Sequence, residues 1–115
     1  MSKKAVKRRG SNGQRPDSGA NVRAGVLHPY IKDARHETRT PEACLAEARG
    51  LAEAIDLQIV EAEIYPIRAP RSATLFGSGQ VAEIADLVKA RAIAVVVVNG
   101  TLTPVQQRNL ELAWN

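Results

Sequence analysis

Apolar and polar positions follow two periods along this chain, and they switch several times. Arg23-Ala24-Gly25-Val26-Leu27-His28 is a short apolar run closed by Pro29, which predicts a first strand. Residues 29–39 are polar with alternating charges and predict a connection. From Thr40-Pro41 the period changes to about 3.6. Ala43, Leu45, Ala46, Ala48, Leu51, Ala52 and Ile55 form the apolar stripe, and Glu47, Arg49 and Glu53 lie off it. Thr40 suits an N-cap, Pro41 the first helical position, and Glu42 the positive end of the helix dipole. Leu57 to Tyr65 partly alternates and is rich in β-formers, which predicts a second strand. Pro66 and the stretch Arg68-Ala69-Pro70-Arg71-Ser72 predict a loop.

Phe76-Gly77-Ser78-Gly79-Gln80 is a glycine turn. It opens a helix with Val81, Ile84, Ala85, Leu87, Val88 and Ala92 on its apolar side. Ala94-Val95-Val96-Val97-Val98 has no polar member, as in a parallel strand covered on both faces. Asn99-Gly100 ends it. Thr103-Pro104-Val105-Gln106 is a capping box for a last helix running through Leu110 and Leu112. The order β-α-β-α-β-α predicts an α/β fold: a small parallel sheet of three strands, with helices on both faces. A fourth strand is expected to be missing beyond the last helix.

Composition changes this picture in one place. The 115 residues carry a net charge of +4, but residues 1–23 hold +6 of it and the remainder −2. The basic character belongs to the N-terminal stretch, so it does not argue for a basic nucleic-acid-binding fold. Residues 1–22 have too few apolar side chains to offset their ordering entropy, which predicts a disordered basic tail before a domain at 23–115. That tail is either a solvated segment or an electrostatic arm for a polyanion. Aromatic residues make up 3% of the chain, too few for stacking platforms along single-stranded nucleic acid. The single cysteine, Cys44, excludes an internal disulfide and suits a reducing, cytoplasmic setting. No apolar run is long enough to span a membrane.

Candidate chemistry is sparse. Gly77, Ser78, Gly79 and Gln80 at a helix N-terminus suit an anion, because glycines let a ligand approach and N–H groups face it. They match neither the P-loop nor the dinucleotide fingerprint, so the turn reads as a phosphate site or as a structural cap. Gln106, Gln107, Arg108 and Asn109 crowd hydrogen-bonding groups onto one helical turn. They read as a capping box with a solvated face, or as a contact surface for RNA or a partner domain. Arg68 and Arg71, with Lys89 and Arg91, are candidates for a positive patch whose layout the sequence does not fix. His28 and His36 lack metal-ligand spacing, Cys44 has no neighbouring histidine, and Glu61 and Glu63 share a strand face without further support. No catalytic residue and no metal site is assigned.

Two of these motifs carry a resemblance. Phe76-Gly77-Ser78-Gly79-Gln80-Val81-Ala82-Glu83-Ile84, then the valine-rich strand, then Leu102-Thr103-Pro104-Val105-Gln106-Gln107-Arg108-Asn109-Leu110-Glu111 resemble the N-terminal domain of the HflX-type GTPases, over about residues 23–115. The family's lysine after the glycines is Gln80 here. Its helical and GTP-binding domains are expected beyond Asn115, so the resemblance makes this chain a fragment that does not hydrolyse GTP alone. GTP and Mg²⁺ are implied for the full-length family and no cofactor for this chain. The implied partner is the large ribosomal subunit and its rRNA, the implied role ribosome binding and regulation in splitting or rescue. Two other readings stay open: a small nucleotide- or phosphate-binding module using Gly77–Gln80, and a protein-interaction domain without catalysis.

Overall fold

The computed structural model describes residues 4–7, 22–31 and 39–114. These form strands β1 (Lys4–Lys7), β2 (Val22–Ile31), β3 (Leu57–Ile67) and β4 (Val95–Val98), and helices α1 (Pro41–Ala54), α2 (Ser78–Ala90) and α3 (Pro104–Ala113). One sheet has the order β1-β4-β2-β3. β2 lies at its centre and pairs in parallel with both β3 and β4. The expected parallel α/β core is therefore present.

A fourth strand, β1, stands at the edge of the sheet beside β4. β1 pairs antiparallel with β4, Lys4 opposite Val98 and Lys7 opposite Val95. This corrects the reading of residues 1–22 as a disordered tail at Lys4–Lys7. A β4 edge with free N–H and C=O groups offers ladder bonds even to a polar segment, and composition does not register that gain. The rest of the expected tail, up to residue 21, lies outside the described residues.

Helices cover both faces. α1 packs Ala48 and Ala52 against Val26 and Val97. α2 and α3 share the other face, where Ile84, Val88, Leu110 and Trp114 meet Leu27, Val96 and Val98. The alternation of Val96 and Val98 with Val97 explains the unbroken apolar run of β4: each face has its own helix layer. The few aromatics cluster. Phe76 lies 5.9 Å from Tyr65 edge-on and 5.9 Å from Trp114.

Two strands of the parallel core, the central β2 and the edge strand β3, run further than the sequence predicts. β2 continues through Pro29 because β4 stops at Val98, opposite Leu27. Leu27 O accepts from Asn99 N at 2.8 Å, so Pro29, two residues on, faces the space beyond β4, where its missing N–H breaks no ladder bond. β3 runs through Pro66 at the edge of the sheet, where a proline is tolerated.

One irregularity decides what β3 presents. Ala24 pairs with Ile59 but Gly25 pairs with Glu61, so Val60 is an extra residue. Such a bulge reverses the inward and outward alternation beyond it. Leu57 and Ile59 face α1, whereas Tyr65 and Ile67 face α2. Gly25 lies at the shift, and a Cβ there would meet Ile93 Cδ1 at 3.3 Å.

Candidate phosphate-facing loop

The loop from Arg68 to Leu75 is held by side chains of α3. Its ends are joined by an isolated bridge, with Arg71 N donating to Leu75 O at 3.2 Å and Leu75 N to Arg71 O at 2.8 Å. Leu75 has a φ of 69° although it is branched and buried. A leucine in the left-handed region is strained and persists only where its surroundings impose it. Here the bridge, the burial of Leu75 and the Thr74 Oγ1 bond to Phe76 O at 2.8 Å impose it.

Gln106 and Asn109, one helical turn apart on α3, grip this loop from below. Gln106 Nε2 donates to Arg71 O at 3.0 Å, and Asn109 Nδ2 donates to Ala73 O at 2.9 Å. Gln106 Oε1 also accepts from Thr103 N at 2.9 Å, while Thr103 Oγ1 accepts from Gln106 N at 3.1 Å. The predicted capping box is thus present, and its glutamine does a second job. Gln107 is half-buried and Arg108 is exposed; among the described residues no side-chain hydrogen bond fixes either.

The glycine turn lies on the other side of the same loop. Gln80 Oε1 accepts from Gly77 N at 3.0 Å and Gln80 Nε2 donates to Pro66 O at 2.7 Å. Gly77 has no side chain to complete the box, so no side chain caps the N–H groups that open α2. A Cβ on Gly79 would meet nothing within 4 Å, so the chain itself does not require a glycine there.

Pro66 to Ser72, Gly77 and Gln80 line a cavity of about 580 Å³ at the C-terminal end of β3. Arg68 and Arg71 line it with exposed side chains. The structure therefore joins the predicted residues into one locale: Arg68 and Arg71 on the loop, Gly77 to Gln80 on one flank, Gln106 and Asn109 beneath. Arg91 is separate. It lies at the far end of α2, paired with Glu61 at 2.8 Å, and Lys89 is in the last turn of that helix. Two guanidinium groups stand here beside the uncapped N–H groups of a helix, donors of the kind that can hold an anion.

Mg²⁺–GTP does not fit these residues. Gln80 brings no positive charge to the turn, and both ends of its amide are committed to backbone groups. Among the described residues no three potential metal ligands converge. His28 is packed: Asn99 Nδ2 lies 3.2 Å from His28 Nδ1 and 3.3 Å from Cys44 O, so Asn99 ties β2 and the end of β4 to α1. Sequence reasoning missed the loop carbonyls of Arg71 and Ala73 as the targets of α3, since backbone acceptors leave no residue-type signal.

A family described as GTP-binding GTPase N-terminal matches residues 42–115, almost two thirds of the chain. The protein called GTPase HflX of Magnetococcus marinus is 40% identical over 79 residues, covering 66% of this chain and 18% of that protein. GTPase HflX of Treponema denticola is 38% identical over 100 residues, covering 87% of this chain and 24% of that protein. GTPase HflX of Spirochaeta thermophila is 45% identical over 47 residues. The chain spans about a quarter or less of the length of these curated relatives. No described helix is long and apolar enough to cross a membrane.

Proposed function

This chain belongs to the GTP-binding GTPase N-terminal family of the HflX proteins, and from that premise we propose that it is an RNA-docking domain, cytoplasmic, which seats a GTPase on the large ribosomal subunit. The observation that carries the proposal is the loop itself. Gln106 and Asn109 fix the backbone that displays Arg68 and Arg71 beside the start of α2. Guanidinium groups and free N–H groups held in one place suit the phosphates of a folded RNA backbone, which are read by position and charge. Arg108 adds a third cation on the helix that supports the loop. GTP binding and hydrolysis then belong to other parts of the assembled GTPase, and this domain contributes orientation.

A phosphate of a free nucleotide shares this chemistry with RNA. Calorimetry with GTP, ATP and a fragment of large-subunit rRNA separates the two sources. The proposal expects heat with RNA only and no GTP turnover by the 115-residue chain. Saturable nucleotide binding lost in Arg68→Ala/Arg71→Ala, with no RNA binding, would overturn it in favour of a small-molecule site.

A further inference from the structure

A second feature lies between β3 and α2, further along the helix from Arg68 and Arg71. β3 is the outer strand of the sheet, and among the described residues no strand pairs with its free edge. Because the bulge at Val60 reverses the alternation, Glu61, Glu63 and Tyr65 all face α2. There they meet Glu83, Asp86, Leu87 and Ala90, which recur at helical spacing. These seven residues line a groove of about 360 Å³. Arg91 neutralises Glu61 at the lower end, with Nη1 2.8 Å from Oε1. Among the described residues no ion pair neutralises Glu63, Glu83 or Asp86.

Tyr65 supplies the independent sign that this groove awaits a ligand. Its side chain is 5% exposed, it lines the groove, and its hydroxyl has no hydrogen-bond partner. Buried hydroxyls are almost always paired, and one left unpaired costs free energy. Burial, followed by the charges of Glu83, Glu63 and Glu61, pushes the phenol up to about 12, so it is neutral and offers both a donor and an acceptor.

We propose that this groove docks an extended, Lys/Arg-rich peptide segment of a partner protein, added as a strand to the free edge of β3. The strand's ladder bonds would go to unpaired β3 backbone groups, and its cationic side chains, two residues apart, would lie over Glu63, Glu83 and Asp86. Tyr65 Oη, buried at the wall of the groove, would gain one hydrogen-bond partner from the docked segment. Charge selects the occupant. Three carboxylates without an ion pair, Glu63, Glu83 and Asp86, repel an RNA backbone, and they equally repel the β3 edge of a second copy. No three ligating groups converge for a metal ion. The chain as a whole carries +4, so attraction of a cationic peptide has to be local.

Fluorescence anisotropy of a labelled Arg-Val-Lys-Val-Arg-Val-Lys peptide against the full chain tests this, with Glu-Val-Glu-Val-Glu-Val-Glu as the control. The basic peptide is expected to bind and the acidic one to fail. Glu63→Gln/Asp86→Asn should weaken binding by about tenfold or more, and Tyr65→Phe by a few fold. Arg68→Ala/Arg71→Ala should leave it unchanged. A basic peptide N-methylated on its edge-facing amides should lose binding. Circular dichroism of each variant checks folding. No binding by the basic peptide, or binding indifferent to Glu63→Gln/Asp86→Asn, would overturn the site. Undiminished binding of the N-methylated peptide would overturn the strand addition. Binding that emerges only after Arg8, Arg9 and Arg15 are changed to Gln would assign the groove to the chain's own basic segment and overturn the partner.

Discussion

Gln106 satisfies two backbone groups that no other side chain reaches: the N–H of Thr103 and the C=O of Arg71. Replacing it with alanine removes the partner of Thr103 N and one of the two donors to Arg71 O, which keeps its bond from Leu75 N. The expected loss is about 2 kcal/mol, read as a lower urea midpoint. Gln106→Glu keeps the acceptor for Thr103 and loses the donor to Arg71, so it should loosen the arginine loop more than it unwinds α3. Proteolysis within 68–75 measures that difference. Tyr65 gives a pH signature. Its phenol is raised from the ordinary 10 to about 12 in the folded protein, so the folded state holds its proton longer than the unfolded chain does. Stability from this group is full below pH 10 and falls as pH rises from 10 to 12, by roughly 2 kcal/mol. Denaturation midpoints across that range should lose this component in Tyr65→Phe. At this scale the sequence was informative about type and silent about partners. Gln80 stood out as a departure from lysine, but its bonds to Gly77 and Pro66 depend on a loop meeting a helix.

Elements were more legible than residues. The capped starts of α1 and α3 at Thr40-Pro41 and Thr103-Pro104 lie where the pattern places them, because capping is local chemistry. The ends of β2 and β3 were not legible, because Pro29 and Pro66 stop a strand only where a neighbour needs their N–H. The bulge at Val60 was also hidden. Val60 and Glu61 read as a broken alternation, and only the pairing shows that the break moves Glu61, Glu63 and Tyr65 to the α2 face. α3 is pinned by Leu110, fully buried, and by Trp114, whose Nε1 donates to Val81 O at 3.1 Å. Trp114→Ala should cost about 3–5 kcal/mol, a large share of a small domain's stability. Thermal melts should then lose most of their cooperative transition. Leu112, on the exposed side of the same helix, should tolerate alanine within about 0.5 kcal/mol.

The whole molecule separates its charges. Arginines stand at the start of α2, carboxylates run along its flank, and the basic N-terminal segment begins with a strand on the far edge of the sheet. Strand order was not readable from the sequence, since periodicity gives the faces of an element but not its neighbours. The split of +6 and −2 was readable, and it still separates the N-terminal segment from the rest. β1 changes what a truncation does. Removing residues 1–21 takes away a strand as well as a charge, so amide exchange in β4 should rise. Changing Arg8, Arg9 and Arg15 to Gln removes charge alone and should weaken RNA binding without that rise. The most direct measurement of the docking claim is co-sedimentation with large ribosomal subunits over a salt series, comparing the wild-type chain with Arg68→Ala/Arg71→Ala. The account predicts weaker binding by the variant and a log-affinity against log-salt slope shallower by about 1 to 2, the signature of lost phosphate contacts. Identical affinity and identical slope for the two proteins would contradict it.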